Sequence, residues 1–173
     1  MNEDTNPLVH SATSHLVGAS AWLPIRGGVE RLTIEYADSL ATRDLWGSGI
    51  FHGAAYNNYD YVDGMRYRGR TLGFSLDSDS RLLSVQASFI DTHARSFSLT
   101  YHRANVSDPL NTAGNAVTAA PVAINLVEGR IGLPLRLRER TIQFDIAGRL
   151  QDDQPRPDKG FQASIEAALT VNL

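Results

Sequence analysis

Hydrophobic and polar residues alternate along most of this chain, and the alternating runs are long. From His15 to Leu23 the set Val17, Ala19, Ala21 and Leu23 falls on one side. From Glu30 to Tyr36, Leu32, Ile34 and Tyr36 oppose Arg31, Thr33 and Glu35. From Arg81 to Ile90, Leu83, Val85, Ala87 and Phe89 oppose Ser84, Gln86 and Ser88. Phe97, Leu99 and Tyr101 alternate with Ser96, Ser98, Thr100 and His102, and Ile142, Phe144 and Ile146 alternate with Thr141, Gln143 and Asp145. The last run keeps Ala163, Ile165, Ala167, Leu169, Val171 and Leu173 on one side as far as the final residue. A period of two places each set on one face of a β-strand. Turn clusters separate the runs at Arg26-Gly27-Gly28, Asp91 to Ala94, Ser107-Asp108-Pro109 and Gln151 to Lys159, while Asn111 to Ala119 reads as a surface loop. With the less regular segments 51–59, 66–71 and 121–137, the pattern predicts eight or nine strands and almost no helix.

Two features of these strands point to a membrane barrel. Runs of about ten residues exceed the ~5–6 usual in soluble sheets and match the ~9–11 that a tilted membrane strand needs. The polar sets are small and hydroxylic and the apolar sets continuous, as a wet lumen and a lipid exterior require. A soluble antiparallel sandwich with one wet face shows the same alternation. The expected fold is all-β: an antiparallel transmembrane β-barrel forming a single domain over 1–173, with 1–10 disordered. The final strand ends on Leu173, where such barrels usually end on an aromatic residue.

Composition narrows the function classes. The chain has 173 residues, 42% hydrophobic and 20% charged, with a net charge of -3. That balance gives no reason to expect a nucleic-acid partner. No apolar run reaches the ~20 residues of a spanning helix. Cysteine is absent, which removes disulfides, thiolate metal sites and thiol nucleophiles. Met1 to Pro7 is acidic and polar and has no leader-like character, so the chain is expected to be cytosolic or the tail of a longer exported protein.

The most distinctive stretch runs from Tyr56-Asn57-Asn58-Tyr59-Asp60-Tyr61-Val62-Asp63-Gly64 through Met65-Arg66-Tyr67-Arg68-Gly69-Arg70 to Gly73, followed by Asp77-Ser78-Asp79-Ser80-Arg81. With the upstream Glu35-Tyr36-Ala37-Asp38, it resembles the capsule-assembly Wzi family, from about Glu30 onward. The resemblance implies an outer-membrane barrel of about eighteen strands in a Gram-negative bacterium. Such a barrel anchors capsular polysaccharide at the cell surface as a lectin-like, non-catalytic attachment point. It further implies that this chain, with about half those strands, is a shortened form and a partial barrel. Acidic capsular polysaccharide and outer-membrane lipid are then the expected partners, and a full barrel is expected to be a monomer. A porin-like anion or saccharide channel and a soluble β-sandwich binding module are the alternatives.

The residues themselves suggest a site. In an extended segment Arg66, Arg68 and Arg70 share one face, and three cations toward lipid would cost about 2–4 kcal/mol each near the midplane. They therefore belong in the lumen or at the mouth, where guanidinium forks suit carboxylates and phosphates. Tyr56, Tyr59, Tyr61 and Tyr67 offer rings and hydroxyls to a sugar chain, or else form part of an interfacial aromatic girdle. Asp63, Asp77 and Asp79 complete the candidate polysaccharide site, either facing ligand or, with Asp60, pairing with the arginines to hold a loop. Asp77 to Ser80 reads as a solvated turn or an arginine partner sooner than as a calcium loop. His10, His15, His52, His93 and His102 show no metal-ligand spacing, and no metal or cofactor is expected. Ser98 and His102 share a strand face but lie roughly 13 Å apart along it, too far to form a catalytic pair.

Overall fold

The computed structural model describes residues 13–42, 49–56, 66–67, 70–71, 73–137, 140–154 and 161–171. The expectation for residues 1–10 lies outside them. The elements are β1 (Thr13–Ile25), β2 (Gly28–Thr42), β3 (Ile50–Phe51), β4 (Arg66–Tyr67), β5 (Arg70–Thr71), β6 (Arg81–Asp91), β7 (Ser96–Val106), β8 (Val122–Leu137), β9 (Arg140–Gln154) and β10 (Gln162–Val171). One eight-stranded sheet runs in the order β1-β2-β6-β7-β8-β9-β10, with β3 pairing β2, and β4-β5 form a separate small hairpin. Among the described residues β1 and β10 lie at the two ends of the path and the sheet is not closed. The seven long strands have 10 to 16 residues. Of the less regular segments, 121–137 became the longest strand, whereas 51–59 contributes only part of a two-residue strand.

The chain divides into two compact units. One, the strand unit, comprises Gly18–Glu35, Leu83–Arg103 and Ile124–Leu173; the other, the loop unit, comprises Met1–Val17, Tyr36–Leu82 and Ala104–Ala123.

In the strand unit the register puts the alternating sets on common faces. Between β9 and β10, Ile142, Phe144, Ile146, Gly148 and Leu150 stand opposite Val171, Leu169, Ala167, Ile165 and Ala163, while Gln143, Asp145, Arg149 and Gln151 stand opposite Thr170, Ala168, Ser164 and Gln162. Side-chain contacts extend both faces across the sheet. The Phe89 and Phe97 rings stack with centroids 6.4 Å apart on the apolar side of β6 and β7. On the polar side, Ser84 Oγ lies 2.8 Å from His102 Nδ1, and Gln86 donates to Thr100 Oγ1 at 3.1 Å. Ser20 Oγ and Thr33 Oγ1, 3.0 Å apart, do the same for β1 and β2.

Among the described residues of this unit, none forms a layer over the apolar face. Leu99 is 59% exposed, Leu150 52% and Ile165 85%, and among the described residues of this unit Ala147 is the one buried hydrophobic side chain. Soluble monomers rarely leave contiguous apolar patches beyond a few hundred Å² open to water. The stabilisation of about 1.5–3 kcal/mol from burying a large apolar side chain is therefore not obtained within this unit.

Turn geometry fixes the hairpins. Gly27 sits at φ +94° with no neighbour around its Cβ position, and Thr92 N–H donates to its carbonyl at 3.1 Å. Gly28 is different, because a methyl group there would meet the Ile90 carbonyl oxygen and come 2.6 Å from the Phe89 ring. Gly28→Ala is expected to destabilise the chain by about 1–3 kcal/mol through overpacking, read as a lower urea midpoint with an unchanged slope.

The loop unit packs around small side chains. Ala37, Leu40, Ala41, Ala104 and Val106 are buried together with Ser39, Thr42 and the whole Asp77–Ser80 run. The solvated turn expected at Asp77–Ser80 is thus corrected: the four residues are 0–5% exposed. Buried polar atoms require partners, and most of those in this segment find them in side chains and backbone of the same unit, Asp79 Oδ1 being buried without one among the described residues.

Candidate functional site

Asp77–Ser80 forms a buried, hydrogen-bonded knot in the loop unit. Ser39 Oγ lies 2.5 Å from the Asp77 carbonyl oxygen and accepts the Ser80 N–H at 2.9 Å. Ser80 Oγ donates to the Leu76 carbonyl at 2.8 Å and accepts the Ser107 N–H at 3.1 Å. Asn115 Nδ2 reaches the Leu76 and Ser78 carbonyls, and Asn111 Nδ2 donates to Ser78 Oγ. Asp77 and Asp79 take the left-handed conformation at φ 66° and 52°, as do Tyr56 and Ser107. Such backbone is sparsely populated for these residue types and persists where its surroundings hold it.

The predicted site residues fall in this unit, and the structure shows what Asp77, Asp79 and Tyr56 hold. The Asp77 carboxylate accepts the Ala116 N–H at 2.6 Å, and Asp79 accepts the Gly53 N–H at 2.9 Å with His52 Nδ1 3.2 Å away. Both carboxylates therefore brace neighbouring segments from inside. Tyr56 is half-buried, and its hydroxyl oxygen accepts the Phe74 N–H at 2.8 Å. Arg66, Tyr67 and Arg70 lie on the β4-β5 hairpin, with Arg66 opposite Thr71 and Tyr67 opposite Arg70. The chain reverses there, so the arginine run is not the single extended strand that its spacing suggested. Arg68, Tyr61 and Asp63 lie outside the described residues, as do the side chains on the hairpin.

A contact between two of the distinctive sequence elements also lies in this unit. Arg81 Nε donates to Asp38 Oδ2 at 3.0 Å, and the Tyr36 hydroxyl donates to the same oxygen at 2.9 Å. The Glu-Tyr-x-Asp and Asp-x-Asp-Ser-Arg segments thus meet in one ion pair. Arg81 is half exposed, so the pair itself adds at most about 1 kcal/mol.

The polar face of the strand unit carries groups that the sequence pattern had not singled out. Glu128 on β8 accepts a short hydrogen bond from Arg149 on β9 and lies 3.5 Å from Arg130. The guanidinium of Arg31 lies over the Trp22 ring at 5.1 Å and donates to Ser20 Oγ at 3.3 Å. Ser84 and His102 form the Ser–His contact that Ser98 and His102 could not. Among the described residues no carboxylate hydrogen-bonds to that imidazole, and a triad needs a group orienting its base. The hairpin register would have revealed the Trp22–Arg31 pair, because the Arg26-Gly27 turn sets these two residues opposite each other.

Among the described residues no three His, Asp or Glu side chains are grouped so as to hold a metal ion. Among the described residues no helix is long and apolar enough to cross a membrane, which says nothing of strands.

No family model matches the chain, and no curated protein matches it in sequence. Among solved structures it is similar to Wzi, an outer-membrane protein involved in group 1 capsule assembly in Escherichia coli and described as a carbohydrate-binding β-barrel. The TM-score is 0.72 at 14% identity, over 98% of this chain and 35% of that one. The chain thus spans about a third of that structure. At this identity the likeness establishes the fold: an antiparallel sheet of long strands matching part of a β-barrel.

Proposed function

We propose that this chain forms part of an outer-membrane β-barrel of a Gram-negative bacterium that holds capsular polysaccharide at the cell surface, without catalysis. The observation that carries this reading is the uncovered apolar face backed by a polar one, on strands long enough to span a bilayer. The fold likeness to a carbohydrate-binding capsule-assembly barrel supports it. The connections support it too. Those between β1 and β2, β6 and β7, and β8 and β9 are short, whereas 43–80, 107–121 and 155–161 are longer and join the opposite strand ends. Outer-membrane barrels pair short periplasmic turns with long external loops in this way.

On this reading the long connections face outward and carry the glycan site. Arg66 and Arg70 of the β4-β5 hairpin, together with Arg68 between them in sequence, meet acidic groups of the polysaccharide, and Tyr56, Tyr61 and Tyr67 offer rings and hydroxyls to its sugars. Asp77 and Asp79 act from beneath by bracing the loops, and Asp63 belongs to the same segment.

Expression behind a signal peptide tests the membrane part: the chain is expected in the outer-membrane fraction and to require detergent for extraction. Recovery in the aqueous fraction as a folded protein would overturn it and favour a soluble sandwich. For the glycan part, Arg68→Ala in the folded chain is expected to weaken binding of an acidic capsular polysaccharide at least tenfold. Unchanged binding at unchanged stability would reduce the arginines to a structural role.

A further inference from the structure

Alternation breaks on the polar face at Trp22. The residue is opposite Arg31, in the row after the Ser20–Thr33 pair, and shares the side that bears Ser88 and Ser98. A large aromatic there does not fill an interior, since Trp22 is 61% exposed. Nor does it belong to an aromatic belt toward lipid, because such belts lie on the apolar face. Arg31 covers part of the ring at 5.1 Å and leaves the remainder open.

The charges on this face single out Arg31. Arg130 and Arg149 both lie against Glu128. Arg31 is exposed, its contacts are the Trp22 ring and Ser20 Oγ, and among the described residues it has no carboxylate within ion-pair distance. Around it stand small hydroxyls: Ser20, Thr33 and Ser88, whose Oγ reaches the Arg31 carbonyl at 3.5 Å. An open aromatic surface, an unneutralised guanidinium fork and a floor of short hydroxyl groups together match one ligand type. A sugar ring presents an apolar C–H face, a rim of hydroxyls and, in a uronic acid, a carboxylate that a guanidinium holds bidentately. Breaks in an otherwise consistent pattern are expected where a sequence serves function before stability.

From this arrangement we infer that Trp22 and Arg31 form a subsite for a uronic-acid unit on the polar face of the strand unit, separate from the arginine hairpin. The sugar stacks on the open part of the indole, and its carboxylate pairs with Arg31 on the side away from Ser20. The inference rests on the carbohydrate-binding reading and adds to it a ligand charge and a position. It also orders the specificity: Trp22 supplies sequence-tolerant stacking, and Arg31 discriminates acidic from neutral sugars.

The test uses the full 173-residue chain folded in detergent, with Trp46→Phe as background so that fluorescence reports Trp22 alone. Oligogalacturonate and a maltooligosaccharide of equal length are the probes, with affinities of every variant measured by isothermal titration calorimetry. Oligogalacturonate is expected to quench and shift Trp22 emission, with at least tenfold tighter binding than the neutral probe. Arg31→Gln is expected to bring the two affinities within about threefold, Arg31→Lys to retain part of the preference, and Trp22→Ala to weaken both probes at least tenfold. Trp22→Phe is expected to keep most of the binding. Gel mobility before and after heating checks that each variant is folded. Tight oligogalacturonate binding with silent Trp22 emission and unaffected Arg31→Gln and Trp22→Ala variants would overturn the subsite and leave the carbohydrate reading standing. Failure of the folded parent to bind either probe or an acidic capsular polysaccharide would overturn both.

Discussion

Arginine in place of Ile34 is expected to lower the unfolding free energy of the chain, folded in phospholipid vesicles, by about 2–4 kcal/mol, the cost of a cation on the lipid face of a barrel near the midplane. Ile34 lies in the middle of β2 on the apolar face and is 49% exposed. Half of it is open among the described residues and its side chain is apolar, so the substitution leaves no enclosed cavity and removes no side-chain hydrogen bond. If water met this face, an exposed isoleucine could become arginine within about 0.5 kcal/mol. The two environments therefore predict effects differing by a factor of four or more. Glu35, the next residue, points to the opposite face and is exposed. Glu35→Arg places the same cation one position away and is expected to cost no more than about 0.5 kcal/mol. Urea titrations of the two variants side by side decide the matter. A small effect at both positions would mean that hydrocarbon does not bound this sheet.

How far the sequence foretold this architecture depends on whether a signal was local. β6 and β10 begin where the alternation begins, at Arg81 and Gln162, and the predicted faces of β9 and β10 meet in register. A period of two is a property of neighbouring residues and can be read without tertiary knowledge. β8 was less legible because Ile124 and Leu126 interrupt its polar set, yet Asn125 on the other set is held by the Tyr101 hydroxyl at 2.9 Å. The burial of Asp77–Ser80 was not legible at all. It depends on Ser39 and on Asn111 and Asn115, which lie more than 30 residues away in sequence. Four short polar residues between a turn and a strand read as solvated unless their distant partners are known. The arginine run misled for a related reason. Its spacing has a period of two, but pairing between Tyr67 and Arg70 turns the chain back within it. The Trp22–Arg31 contact depends on a hairpin register, and a register is set by turn geometry as well as by composition.

The second large effect is expected at Gly53, where the loop unit leaves no room for a side chain. Its φ is +68°, a conformation that costs an L-residue about 1–2 kcal/mol. An added Cβ would lie 2.6 Å from Asn111 Oδ1 and 2.8 Å from the Ala113 methyl, an overlap of the kind that costs about 1–3 kcal/mol in a packed site. Rotation cannot relieve the overlap freely, because the Gly53 N–H is committed to the buried Asp79 carboxylate and Asn111 is tied to Ser78. Moving Gly53 away would strand that carboxylate oxygen with only His52 beside it, and a buried acceptor that loses its donor costs about 1–3 kcal/mol by itself. Gly53→Ala is therefore expected to destabilise the loop unit by about 2–5 kcal/mol. Because stability differs between parts of a fold, hydrogen exchange is the suitable measurement. The Gly53, Ser80 and Ser107 amides should lose protection together, whereas amides of β9 and β10 should keep theirs. Gly129 supplies the control: nothing lies within 4 Å of its Cβ position and its backbone is not left-handed, so Gly129→Ala is expected to be stabilising by about 0.4–1 kcal/mol. Equal protection of the three loop amides in Gly53→Ala and the parent would show that the Asp79 brace does not hold these segments together.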